Sequence, residues 1–81
     1  MYREPKTQVQ TEKRSRECLS NNLKEYRKRL NISREYLALE CEMDVKYLSR
    51  IESGRANASL DTLDKLSDGT GIAARDLITK S

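Results

Sequence analysis

Between Asp44 and Gly54 lies the run VKYLSRIE, whose residues divide around a helical wheel. Leu48 and Ile51 share one side, and Val45, Lys46, Ser49 and Arg50 share the other. Lys46 and Arg50 stand one turn apart. An arginine fork and a lysine point charge both suit the acceptor-rich edge of guanine, Ser49 can give or take a hydrogen bond, and Val45 suits a thymine methyl. The same four side chains on an isolated helix of this length would also make an ordinary solvated face, so this run alone leaves both readings open.

Catalytic chemistry finds little support elsewhere in the chain. There is no His, which excludes imidazole catalysis and His-ligated metal sites. Cys18 and Cys41 are far apart and have no second pair nearby, so neither a zinc knuckle nor a CxxC motif can be drawn. Without an activating base they are expected to be reduced, core-filling residues rather than nucleophiles. No enzyme activity, metal or cofactor is therefore expected.

The elements that position the run must be small. The 81 residues allow one domain, and 36% hydrophobic content without Trp or Phe suits a small helical core. The net charge of +3 is unevenly spread: residues 18–34 carry five Lys/Arg against one acid, whereas residues 35–58 carry three against five. A basic first half suits a polyanionic partner. No apolar run approaches the roughly 18 residues of a membrane span, and no secretory h-region opens the chain, so a cytoplasmic location is expected.

Residues 1–14, with Pro5 and almost no apolar periodicity, read as a flexible basic arm, and residues 15–81 as the folded domain. Leu19, Leu23, Tyr26 and Leu30 lie on one helix face, which predicts a first helix from Ser15 or Arg16 to Leu30, closed by a left-handed Asn31 with Ile32 folding back. Ser33 is the cap of a second helix that buries Tyr36, Leu37, Ala38 and Cys41. Asp44 is the cap of the third, about Val45 to Glu52. After Gly54, Ser59 is the cap of a fourth helix with Leu60, Leu63 and Leu66 inward, stopped by Gly69 and Gly71; a short fifth runs from about Ala73 to Ile78. No segment reads as a strand. The fold class is all-α.

Residues 33–54 thus form two short helices about a tight turn, the pattern of a helix-turn-helix. With LxxYRKRLNIS before it, YLALEC and YLSRIESGRANASLDTL within and beyond it, and GIAARDLI at the end, the sequence resembles the phage-repressor family of the Cro or Xre type over about residues 19–78. The resemblance implies a lambda-repressor-like five-helix bundle that binds double-stranded operator DNA as a homodimer, with the third helix in the major groove. On that reading Val45, Lys46, Ser49 and Arg50 touch bases, while Arg34, Tyr47, Arg55 and Asn57 touch phosphates. The resemblance also pairs Arg27 on the first helix with Glu52 at the end of the third.

The chain departs from the family pattern at several positions. Arg34 stands where Gln is usual, and Glu42 stands at a turn position commonly held by Gly, which implies a strained or differently bent turn. Ala58 replaces a common Pro, Thr70 replaces a Leu, and Ala73 supplies no capping oxygen, so a less rigid C-terminal end is expected. Only three residues follow Ile78. With no room there for a sensor domain, occupancy is expected to follow protein concentration, as in a phage switch or a restriction-modification controller. The competing reading is an antitoxin-like or adaptor module that uses the same fold to grip a protein.

Overall fold

The computed structural model describes residues 5–56 and 58–80. Five helices follow in order: α1 (Pro5–Leu30), α2 (Arg34–Glu40), α3 (Val45–Glu52), α4 (Leu60–Thr70) and α5 (Ala74–Leu77). The described residues contain no strand, as the sequence pattern implies.

Helix α1 begins at Pro5, well before the expected start at Ser15 or Arg16. Proline suits a first helical position because its missing N–H would have no partner there and its φ is already helical. The following residues are largely Lys, Gln, Glu and Arg, which favour helix without forming an apolar stripe. Hydrophobic periodicity detects only a helix with an apolar stripe in its sequence, so it misses this stretch. The basic segment is thus continuous with α1 from Pro5 onward.

The core joins Leu19 and Leu23 of α1, Leu37 and Ala38 of α2 with Cys41 beyond it, Leu48 and Ile51 of α3, Leu66 of α4 and Leu77 of α5. Three residues expected inward lie outside it: Leu30 is 51% exposed, Tyr36 50% and Leu60 80%. Leu30 and Leu60 end and begin their helices, past the reach of the core. The buried side of α4 instead follows Thr62 and Leu66, with Leu63 partly covered. Burial pushes the Cys41 thiol up to about 11, so it remains neutral at physiological pH.

Helices α1, α2 and α3 all end in one hydrogen-bond pattern, with a left-handed residue just past the end. After α1, Asn31 (φ 57°) donates to the Lys28 carbonyl at 3.2 Å and Ile32 to that of Arg27 at 3.1 Å. After α2, Glu42 (φ 54°) donates to Leu39 at 3.1 Å and Met43 to Ala38 at 2.9 Å. After α3, Gly54 (φ 79°) donates to Ile51 and Arg55 to Arg50, both at 3.0 Å. The turn at Glu42 therefore keeps the geometry that glycine would allow, at the strain of a side chain in the left-handed region.

At the starts of helices, Ser33 Oγ accepts from the Tyr36 amide at 3.0 Å and Ser59 Oγ from the Thr62 amide at 3.1 Å. Asp44 holds the cap position of α3 but its side chain makes no capping bond. Gly71 (φ 78°) stops α4. Gly69 does not, since it lies inside the helix, where an added Cβ would overlap Cys41 Sγ and come within 3.0 Å of both Cys41 Cα and the Glu40 carbonyl oxygen. Its role is to let α4 approach the end of α2.

The C-terminal end is tied by polar side chains that the departures from the family pattern did not suggest. Thr70 Oγ1 donates to the Leu66 carbonyl at 2.7 Å and accepts from the Ile72 amide at 3.1 Å. The Asn22 amide on α1 reaches the carbonyls of Asp76, Leu77 and Thr79 at 3.2, 2.7 and 2.9 Å.

Glu52 is buried, with its side chain 1% exposed, and it gathers three helices. Arg27 Nε donates to Oε2 at 2.7 Å and Arg27 Nη2 to Oε1 at 2.8 Å, a bidentate fork from α1. Arg34 Nε, from α2, donates to Oε1 at 3.2 Å. The Ser20 hydroxyl of α1 donates to the Glu52 backbone carbonyl. Hydrogen bonding to Glu52, with its opposite charge, raises the Arg27 pKa and keeps the guanidinium charged despite partial burial.

Two stability measurements follow from this packing. Arg27→Ala should cost about 3 kcal/mol, the low end for breaking a buried pair, because Arg34 still holds one carboxylate oxygen. An unchanged thermal midpoint would show that the pair contributes nothing. Glu42→Gly should gain about 1 kcal/mol by relieving the left-handed residue, a rise of roughly 4–8 °C for a domain of this size. A lower midpoint would mean that the Glu42 side chain stabilises the turn by more than its strain.

Candidate nucleic-acid interface

The candidate site is the outer side of α3. Leu48, Ile51 and Glu52 are buried beneath it, whereas Lys46 and Arg50 are exposed one turn apart. Val45 and Ser49 are partly covered, and Val45 packs one side against the core. The four residues expected to touch bases therefore lie along one strip of the helix, with the two cations outermost.

Support for that strip comes from every direction. Tyr47, half-buried, sets its hydroxyl 3.4 Å from Thr62 Oγ1, and Thr62 Oγ1 lies 3.0 Å from Ser59 Oγ at the start of α4. The far end is fixed by Glu52. The Arg50 carbonyl accepts from the Arg55 amide at 3.0 Å and from Ser53 Oγ at 2.9 Å, which folds the chain back after the helix. Buried apolar contacts and satisfied polar ends leave the helix little freedom to rotate.

The residues expected to touch phosphate are placed differently from one another. Arg55 is exposed immediately beyond α3. Tyr47 lies on its flank, and Asn57 falls outside the described residues. Arg34 opens α2, is 41% exposed, and is held by Glu52. That second arginine on Glu52 was not legible from helix periodicity, because it is a contact between elements. The Ser20 bond had a faint signal: Ser20 precedes Arg27 by two turns on the same face of α1, so both reach the end of α3.

Electrostatically the strip presents Lys46 and Arg50 with no acid inside it, while the acids of the neighbourhood stand on α2, in its turn and at the cap of α3, at Glu35, Glu40, Glu42 and Asp44. Among the described residues no group of acids or cysteines could hold a metal ion, and no helix is long and apolar enough to cross a membrane.

Comparison with known proteins converges on one family. A helix-turn-helix family model matches residues 23–77. The chain is 44% identical over 48 residues to control protein C.BamHI of Bacillus amyloliquefaciens, covering 59% of each. It is 40% identical over 60 residues to control protein C.MunI of a Mycoplasma species, covering 73% of this chain and 81% of that one. The crystal structure of the hypothetical transcription factor NHTF from Neisseria superposes with a TM-score of 0.74 at 32% identity, over 80% of this chain and 75% of the other. The matched span runs from the core residue Leu23 of α1 to the last buried leucine of α5 and includes Arg27, Arg34 and all of α3, and on this ground the chain belongs to the Cro/C1/Xre-type helix-turn-helix family of DNA-binding transcriptional regulators.

Proposed function

We propose that the protein reads a two-fold symmetric operator as a homodimer, laying α3 of each protomer in the major groove. The observation that carries this reading is the division of α3 between a buried side, Leu48, Ile51 and Glu52, and an exposed pair of cations, Lys46 and Arg50. Such a helix is stiff where it meets the core and rich in donors where it meets solvent. Lys46, Arg50, Ser49 and Val45 are the base-contacting set; Arg34, Tyr47, Arg55 and Asn57 are the phosphate-contacting set.

One short helix offers few contacts, so a single protomer binds weakly. Two protomers on half-sites roughly 34–36 Å apart face the same side of the duplex and turn the second contact into an intramolecular step. Likeness to two proteins named as control proteins favours a regulator that acts in a restriction-modification system. The basic residues Lys6, Lys13, Arg14 and Arg16 add a backbone-tracking segment ahead of the folded core.

Selection of bound duplexes from a random pool is expected to return a two-fold symmetric sequence. Arg50→Ala should then relax the preference at one base pair per half-site, at a cost of about 1–3 kcal/mol; uniform weakening across all duplexes would assign Arg50 to the backbone instead. Removal of residues 1–14 should flatten the dependence of affinity on salt, since each lost phosphate contact lowers the slope by about 0.9. An equal slope would show that the segment makes no phosphate contact.

A further inference from the structure

We propose that Glu52 is a positioning residue for DNA binding: saturated by Arg27, it holds Arg34 through Nε alone and presents the terminal nitrogens of Arg34 to a backbone phosphate. The inference rests on the regulator reading above and deepens it, assigning to a buried acid a task beyond tying helices together.

Charge balance is the first support. One carboxylate meets two guanidiniums at hydrogen-bond distance, and Glu35 is a second acid that acts on Arg27 through space, so Arg27 is the better compensated of the two. Arg27 gives both carboxylate oxygens a bond and sends Nη1 to the Ile32 carbonyl at 3.3 Å, with its side chain 20% exposed. Arg34 gives one bond at 3.2 Å and is 41% exposed. An uncompensated charge is tolerated where water or an anion can reach it. The less compensated and more exposed charge is therefore that of Arg34.

Geometry is the second support. Glu52 is the last residue of α3 and Arg34 the first of α2, so their bond fixes the Arg34 guanidinium to the same helix that carries Lys46 and Arg50. Among the described residues Arg34 uses only Nε, which leaves its two terminal nitrogens for a phosphate. A guanidinium already held in place loses less side-chain freedom on binding. Glutamine, usual at this position in the family, would carry no charge to display; this chain combines the charge with a buried clamp.

The test uses the full chain with a fluorescein-labelled duplex of mixed sequence, titrated over a series of sodium chloride concentrations. Arg34→Gln and Arg34→Lys should both melt close to the wild type, and both should lower the salt slope by about 0.9 for each bound protomer. The lysine variant is decisive. It keeps the net charge but has no planar fork to hold Glu52 and a phosphate together, so a slope equal to wild type would overturn the proposal. Glu52→Gln, measured below its own melting transition, makes the opposite charge change. It raises the net charge by one, and a purely electrostatic surface would then bind more tightly. Weaker binding is expected because Arg34 is released, and tighter binding would overturn the inference. If the wild type retained no duplex, the regulator reading would itself fall. Wild-type binding with unchanged slopes in both Arg34 variants would sink this inference alone.

Discussion

A carboxylate withdrawn from water must be satisfied, and in this protein that requirement fixes the arrangement of three helices. Glu52 stands at the C-terminal end of α3, where the helix dipole already disfavours negative charge. Burial at 1% exposure adds a desolvation penalty. Both costs are offset chiefly by the Arg27 fork from α1, and the Arg34 Nε from α2 adds a third bond to the same carboxylate. The angle between the two helices of the helix-turn-helix is thereby coupled to the position of α1, and the outward strip of α3 inherits its orientation from that coupling.

Backbone geometry supplies the second constraint. The same pair of hydrogen bonds closes α1, α2 and α3, with Asn31, Glu42 and Gly54 in the left-handed region. Glycine enters that region freely, asparagine at small cost and glutamate at more. The pattern survives at Glu42 because the flanking packing demands it: Cys41 is in the core, and α4 meets it through the missing side chain of Gly69. A turn closed differently would open that approach.

Much of this was readable in the residues. The Leu19–Leu23 spacing, the caps Ser33 and Ser59, the left-handed Asn31 and the inward Leu48 and Ile51 all follow from local chemistry. The Arg27–Glu52 pair was legible through family resemblance. What escaped either lacked an apolar stripe or was non-local. The first turns of α1 carry no apolar stripe that periodicity could detect. Leu60 looked inward by spacing, but the rotation of α4 is set by Thr62 against Tyr47 of α3 and by the close approach of Gly69 to the end of α2, both visible only when these helices meet. Thr70 looked like a weakness and is a latch, since its hydroxyl bonds two backbone groups whose positions depend on the path into α5. Arg34 reads as a phosphate contact through the family resemblance, and its bond to Glu52 emerges only when the end of α3 is placed beside it.

The outermost side chains of α3 stand apart from everything that supports them. Lys46 and Arg50 project to solvent, whereas the bonds and packing that hold the helix belong to Tyr47, Leu48, Ile51 and Glu52 and to the Arg50 backbone rather than its side chain. Letters can be exchanged without resetting the page. On the base-reading role proposed for these two side chains, a lineage carrying this scaffold can drift toward a new target sequence through substitutions at two codons while its melting behaviour stays put, and duplicated copies can diverge in what they recognise long before they diverge in shape.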